Sequence, residues 1–288
     1  MKKIRLLLIV LLILNSFSCS VTKNQNKGNV VPENFFYQTE FKTIKSVIVL
    51  PFDINGVSKN FLFDTGADYS IIQRDSIIGK AGNYGGASNR NMKLGNEIIS
   101  SIKIGSIDFI NTVALNGDMI GLKEQIPNFG GIIGQSIIKK ANWLIDYPNK
   151  SINISDKNLS DTSFETIRIK REEGAPYTYI SINGVDYKVI IDFGSSSEFN
   201  LPEDSKLAKQ LLKQYSFSYN ERDRYTLGGL QKIKEKVGIV PLITLGNMDF
   251  KNVNTTINVS SQPRIGIGFF RHYKIYIDNI DNIYKIKK

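Results

Sequence analysis

Beyond about residue 40 the chain alternates short apolar runs with polar turns rich in Asn and Gly, the pattern of half-buried strands. Ile-Asn-Gly-Val occurs at 54–57 and again at 182–185. Asn-Gly between alternating apolar runs predicts a hairpin closed by a type I′ turn, in which both central residues take positive φ. One segment breaks the pattern: 202-PEDSKLAKQLLKQY-215 starts with Pro-Glu-Asp and spaces its apolar residues by four, which predicts a helix. A shorter helical turn is predicted at 135-QSIIKK-140. The expected class is mainly β.

The pattern repeats. The segment 53-DINGVSKNFLFDTGADYSII-72 is echoed by 181-SINGVDYKVIIDFGSSSEFN-200, with ten residues from Ile54 to Asp64 and from Ile182 to Asp192. A second echo joins 103-KIGSIDFINT-112 to 244-TLGNMDFKNV-253, which share Gly, Asp, Phe and Asn at equal offsets. A third joins 131-GIIGQSIIKKANWLIDYPNKSINI-154 to 265-IGIGFFRHYKIYIDNIDNIYKI-286 and sets Gly266 against Ile132. Three echoes in one order imply a tandem duplication of about 115 residues per copy, two lobes and not a solenoid. The expected organisation is a leader at 1–18, a flexible tether at 19–40, a first lobe at 41–155, a polar linker at 156–163 and a second lobe at 164–288.

Composition narrows the chemistry. Cys19 is the only cysteine and His272 the only histidine. Disulfides, Cys-rich zinc sites, thiol nucleophiles and Ser-His-Asp triads are therefore not expected, and no metal or cofactor is called for. His272, in 269-FFRHYKIYI-277, reads as an ordinary strand or turn residue. The formal charge of +10 falls to +7 without Lys2, Lys3 and Arg5, and the remaining lysines are scattered. That predicts a solvated basic surface without nucleic-acid recognition.

The leader joins a basic n-region to the apolar 6-LLLIVLLIL-14 and ends in Ser18-Cys19. It resembles a bacterial lipoprotein signal, which implies cleavage before Cys19 and lipid attachment to its thiol. Ser16 departs from the commoner leucine, and a plain secretory signal is the alternative. Ser20 after the cysteine resembles lipoproteins sent on to an outer membrane, so the resemblance implies an exported protein anchored on a periplasmic or surface face.

Carboxylates remain as the candidate chemistry. Asp192-Phe193-Gly194 matches the magnesium-holding tripeptide of kinases, but His-Arg-Asp and a Gly-rich loop before a strand lysine are missing. Phe63-Asp64-Thr65-Gly66-Ala67, together with 131-GIIGQSIIKKANWLIDYPNKSINI-154, resembles the active-site turn and the apolar-apolar-Gly loop, helix and strand of aspartic peptidases, the retropepsin-like and pepsin-like clan. The resemblance covers most of residues 46–154. It implies a bilobal acid-protease fold of two duplicated retropepsin-like β-barrel lobes, a monomer whose lobes pair within one chain.

It also implies a catalytic dyad, Asp64 with Asp192, that activates a water on a peptide or protein substrate. Thr65, Gly66, Gly194 and Ser195 would support the two turns, with Ser195 able to donate to a carboxylate. Tyr84, Gly85 and Gly86, and Gly228 and Gly229, are candidates for flaps over a bound peptide, or else plain hairpin turns. Phe193 departs from the family's Thr or Ser and removes one of two reciprocal hydroxyl bonds between the turns. Two functions stay open: an aspartic endopeptidase, and a catalytically silent peptide- or protein-binding module on the same fold.

Overall fold

The computed structural model describes residues 24–86, 91–172, 174–226 and 229–288, and the chain is mainly β with several sheets. Cys19 and the leader lie outside the described residues. Among the described residues no helix is long and apolar enough to cross a membrane.

Three sheets organise the molecule. The first is nine-stranded and is built from residues between Asn29 and Ile133. The third is eight-stranded and runs from Lys170 to Gly266. Their pairings repeat. In the first, strand Val47–Ile54 pairs with Val57–Phe63, which runs parallel to Phe129–Ile133, which in turn pairs with Ser70–Gln73. In the third, Ala175–Ile182, Val185–Asp192, Arg264–Gly266 and Phe199–Pro202 make the same contacts. Each set closes into a ring, through Ile54 opposite Ile102 in one and Ile180 opposite Leu245 in the other.

The middle sheet joins the halves. Its order is Glu165–Arg168, Ile283–Lys287, Lys274–Asp278, Asn142–Asp146, Ser151–Ser155 and Phe36–Glu40, three strands from each half. The seam is antiparallel, with Trp143 opposite Ile277 and Ile145 opposite Ile275. All four of these side chains are fully buried. Separating the halves would expose a continuous apolar layer, so the seam holds them at a fixed offset.

The echoed turn residues have a conformational reason. Asn55 and Gly56, and Asn183 and Gly184, all have positive φ, the I′ geometry expected. In the second echo Asn111 and Asn252 adopt φ of 53° and 54°, a conformation Asn tolerates better than most residues. The predicted helix is shorter than its segment, Lys206–Gln214. Pro202 ends a strand instead, opposite Asn258, and the Ser205 hydroxyl accepts from Ala208 N at 3.1 Å as the true N-cap. The predicted turn at 135–140 is the helix Gln135–Ile138.

Part of the expected tether is ordered. Asn29–Val31 pairs with Ile107–Gly117, and Phe36–Glu40 forms the edge of the middle sheet. Phe35 is buried, Gln25 is fully buried, and Lys140 Nζ donates to Gly28 O at 3.0 Å. The polar spacing hid two short edge strands, whose partners lie far along the chain. The linker is likewise held to the middle sheet: Lys285 Nζ donates to Ser160 Oγ at 2.9 Å, and Leu159 N to the Tyr276 hydroxyl at 3.2 Å.

Candidate active site

Asp64 follows strand Val57–Phe63, and its backbone N–H donates to Ile133 O at 2.9 Å. Asp192 ends strand Val185–Asp192. The two turns meet face to face. A Cβ on Gly66 would stand 2.8 Å from Asp192 Cγ, and one on Gly194 would stand 2.3 Å from Asp64 Cγ. Only glycine permits that approach, which is why both turns carry it. The carboxyls stand close enough that the charge of Asp192 acts on Asp64.

Thr65 ties the turns together. Its buried hydroxyl donates to Ile191 O at 2.7 Å and accepts from Phe193 N at 3.0 Å. Its carbonyl accepts from Gln135 Nε2 at 2.7 Å, and Gln135 Oε1 accepts from Arg171 Nη1 of the other half at 2.8 Å. Phe193 has no hydroxyl to return the bond. Its ring turns away into the second half's core, 5.7 Å from the Phe270 ring and 6.3 Å from that of Tyr284. Asp192 is therefore not displaced by it.

Ser195 does not take the role expected of it. Its hydroxyl is 2.7 Å from Ser197 Oγ, and its backbone N–H donates to Asp192 O at 3.1 Å. Asp192 is held instead by Arg264, whose Nη1 lies 2.7 Å from Asp192 Oδ2, both side chains being about nine-tenths buried. Burial first, then the negative charge of Asp192, pushes the Asp64 carboxyl up to about 8, against the lowering effect of the Gly66 N–H and Arg264.

Arg264 was concealed by the alignment of the third echo, which is two residues out. Ile133 stands opposite Phe63 and Ile265 opposite Ile191, so Gly266 matches Gly134 and not Gly268. The backbone agrees: Gln135 N donates to Ala67 O and Ile267 N to Ser195 O, each at 2.9 Å. On that register Arg264 occupies the place of Ile132. An arginine inside the apolar 264-RIGIGFF-270 was the available signal.

Both aspartates open on a cavity of about 1110 Å³. Its first-half wall carries an apolar patch of Val47, Leu62, Ile71, Ile126 and Ile132, with Lys45, Asp68 and Gln125 also lining it; its second-half wall carries a polar patch of Ser197, Asn200, Asn258, Ser260 and Arg264, with Tyr177 and Ile190 also lining it. Two hairpins border it. Tyr84, Gly85 and Gly86 line it from the first, where Asn96 Nδ2 donates to the Tyr84 hydroxyl at 2.8 Å. From the second, Arg222, Asp223, Arg224 and Tyr225 line it, and Lys45 Nζ sits 4.1 Å from the centre of the Tyr225 ring. Gly228 lies outside the described residues, while Gly229 begins the hairpin's return strand with φ of 96°. His272 is exposed beside Arg271 and is not among the lining residues. Among the described residues no group of three or more His, Cys, Asp or Glu is placed to hold a metal.

No family model matches this chain, and no curated protein matches it.

Proposed function

We propose that this protein is an aspartic endopeptidase with two retropepsin-like lobes, acting through Asp64 and Asp192. The observation that carries the reading is the reciprocal approach of the two turns, each glycine against the other turn's aspartate, with Thr65 bridging them. Two carboxyls this close cannot both ionise freely, and Asp64, held up at about 8, is the one that keeps its proton at neutral pH.

The ionised Asp192 takes a proton from a water between the carboxyls as the water oxygen attacks the peptide carbonyl carbon. Asp64 donates its proton to the carbonyl oxygen, giving a neutral gem-diol. On collapse Asp192 passes its proton to the amide nitrogen, the C–N bond breaks, and a diol proton returns to Asp64. One water is consumed and the dyad is regenerated. A peptide lying across the 1110 Å³ cavity would sit beneath the two hairpins, whose strands can pair with its backbone. Substrate is then peptide or protein, and the lipoprotein-like leader supports an exported enzyme anchored through Cys19 to a bacterial membrane, on a periplasmic or surface face.

Asp64→Asn and Asp192→Asn should each lower peptide hydrolysis by at least about 100-fold with the fold retained. Near-wild-type cleavage by either variant would end the assignment. A second reading, the silent binding module, is favoured by the Arg264 guanidinium on Asp192 Oδ2, which ties up one carboxylate oxygen in a buried ion pair. Tight binding of a peptide that wild-type protein never cleaves would support it.

A further inference from the structure

Resting on the dyad reading, we propose that Arg264 is a positioning residue that replaces the missing hydroxyl at 193, fixing Asp192 as the ionised member of the pair and extending activity to lower pH. In the first half Thr65 both anchors its own turn and reaches the other. The second half has lost the reciprocal hydroxyl, since the Phe193 ring is committed to Phe270 and Tyr284. The same half carries a guanidinium where the first carries Ile132, and it bonds directly to the aspartate of the altered turn.

The bond has a definite polarity. Arg264 is buried on strand Arg264–Gly266, two residues from the backbone pairing of Asp192 with Gly266, and a guanidinium can only donate. It therefore favours negative charge on Asp192 over Asp64, and the shared proton is directed to Asp64. Arg264 Nη2 is turned toward Ser261 Oγ at 3.3 Å, and Nε has no hydrogen-bond partner, so little besides Asp192 holds the head group.

The charges acting most on Asp64 are Asp192 and Arg264. The other charged groups on the cavity wall are Lys45 and Asp68 from the first half, and Arg222, Asp223 and Arg224 from the second hairpin. Arg222 is engaged by the buried Glu235 at 2.7 Å.

A free dyad must lose one proton to work, and a cation beside it lets that happen at lower pH. The monoanion then spans a window reaching from acid up to about 8, where Asp64 ionises. Removing the cation raises both ionisations of the pair and moves the acid limb upward.

The test uses Arg264→Met and Arg264→Lys in the full chain, with pH profiles of kcat and KM on a peptide and ¹³C-NMR titration of the aspartate carboxyls. Arg264→Met should move the acid limb of kcat/KM up by about one pH unit, lowering activity at pH 5 about tenfold through kcat. Arg264→Lys should keep the limb in place. A Met variant less active at every pH with an unmoved limb, or more active than wild type, would overturn the proposal. The titration stands apart from turnover. If wild type cleaves nothing yet the carboxyl titration moves in the Met variant and returns in the Lys variant, the peptidase reading fails and Arg264's role stands. Superimposable titrations in all three proteins would sink Arg264's role whatever the activity.

Discussion

At residue 193 the side chain that weakens the likeness to an active peptidase is also one the fold cannot give up. Phe193 is fully buried, with Phe270 and Tyr284 around its ring. Phe193→Thr would restore a hydroxyl but leave a ring-sized void and a polar group in aromatic surroundings, a cost of about 3–5 kcal/mol. The expected outcome is a melting temperature lowered by roughly 10 °C and no gain in hydrolysis, because Arg264 already holds Asp192. Calorimetry with a peptide assay decides it; a Thr variant as stable as wild type and faster would contradict the account. Asp64 gives a prediction of opposite sign. Its carboxyl is raised to about 8 in the folded chain, so its stabilising contribution is complete below the unfolded value and is lost as pH rises through 8. Asn does not titrate. Asp64→Asn should therefore gain on wild type between pH 4 and 8, its melting temperature rising relative to wild type by about 2–4 °C for each kcal/mol. A difference that stays flat across that range would show that Asp64 is not held protonated by folding.

Elements were legible where local chemistry dictates them. Asn55-Gly56 and Asn183-Gly184 announce their hairpins because few residue pairs accept positive φ twice in a row. The strand-turn pairs that carry Asp64 and Asp192 were readable for a related reason, an apolar run ending at Asp-x-Gly in two copies. What the pattern could not supply is pairing between distant segments. Asn29–Val31 and Phe36–Glu40 looked like tether because each is short and half-exposed, and their partners lie at 107–117 and 151–155. The register of Arg264–Gly266 failed for a similar reason. In 265-IGIG-268 two Gly residues compete for one position, and only the parallel pairing with Ile191 and Asp192 shows that Gly266 is the match. That two-residue slip hid Arg264, the side chain that most changes the chemistry of the candidate site. A buried arginine within an apolar run demands a partner, and that demand was the readable trace of it.

On the scale of the whole molecule, the two halves repeat one set of strand pairings but present unlike patches to the cavity. The middle sheet, with three strands from each half, joins the two walls, so on the proposed peptidase reading a peptide crossing Asp64 and Asp192 would meet both at once. On the Asp64 side Val47, Leu62, Ile71, Ile126 and Ile132 offer no hydrogen bonds. On the Asp192 side Ser197, Asn200, Asn258 and Ser260 replace them. An apolar side chain is stabilised on the first wall by about 1.5–3 kcal/mol of burial, and on the second it would strip water from polar groups without replacing their bonds. The scissile bond should therefore have a large apolar residue on one side only, with a polar residue favoured on the other. Mass-spectrometric mapping of cleavage in a mixed peptide library measures this directly, with Asp64→Asn as the blank. Selectivity for the apolar residue should reach about 10–100-fold over alanine, and the polar side should discriminate against Leu and Phe. Equal apolar preference on both sides of the cut would mean that the two walls do not face substrate as they face the cavity.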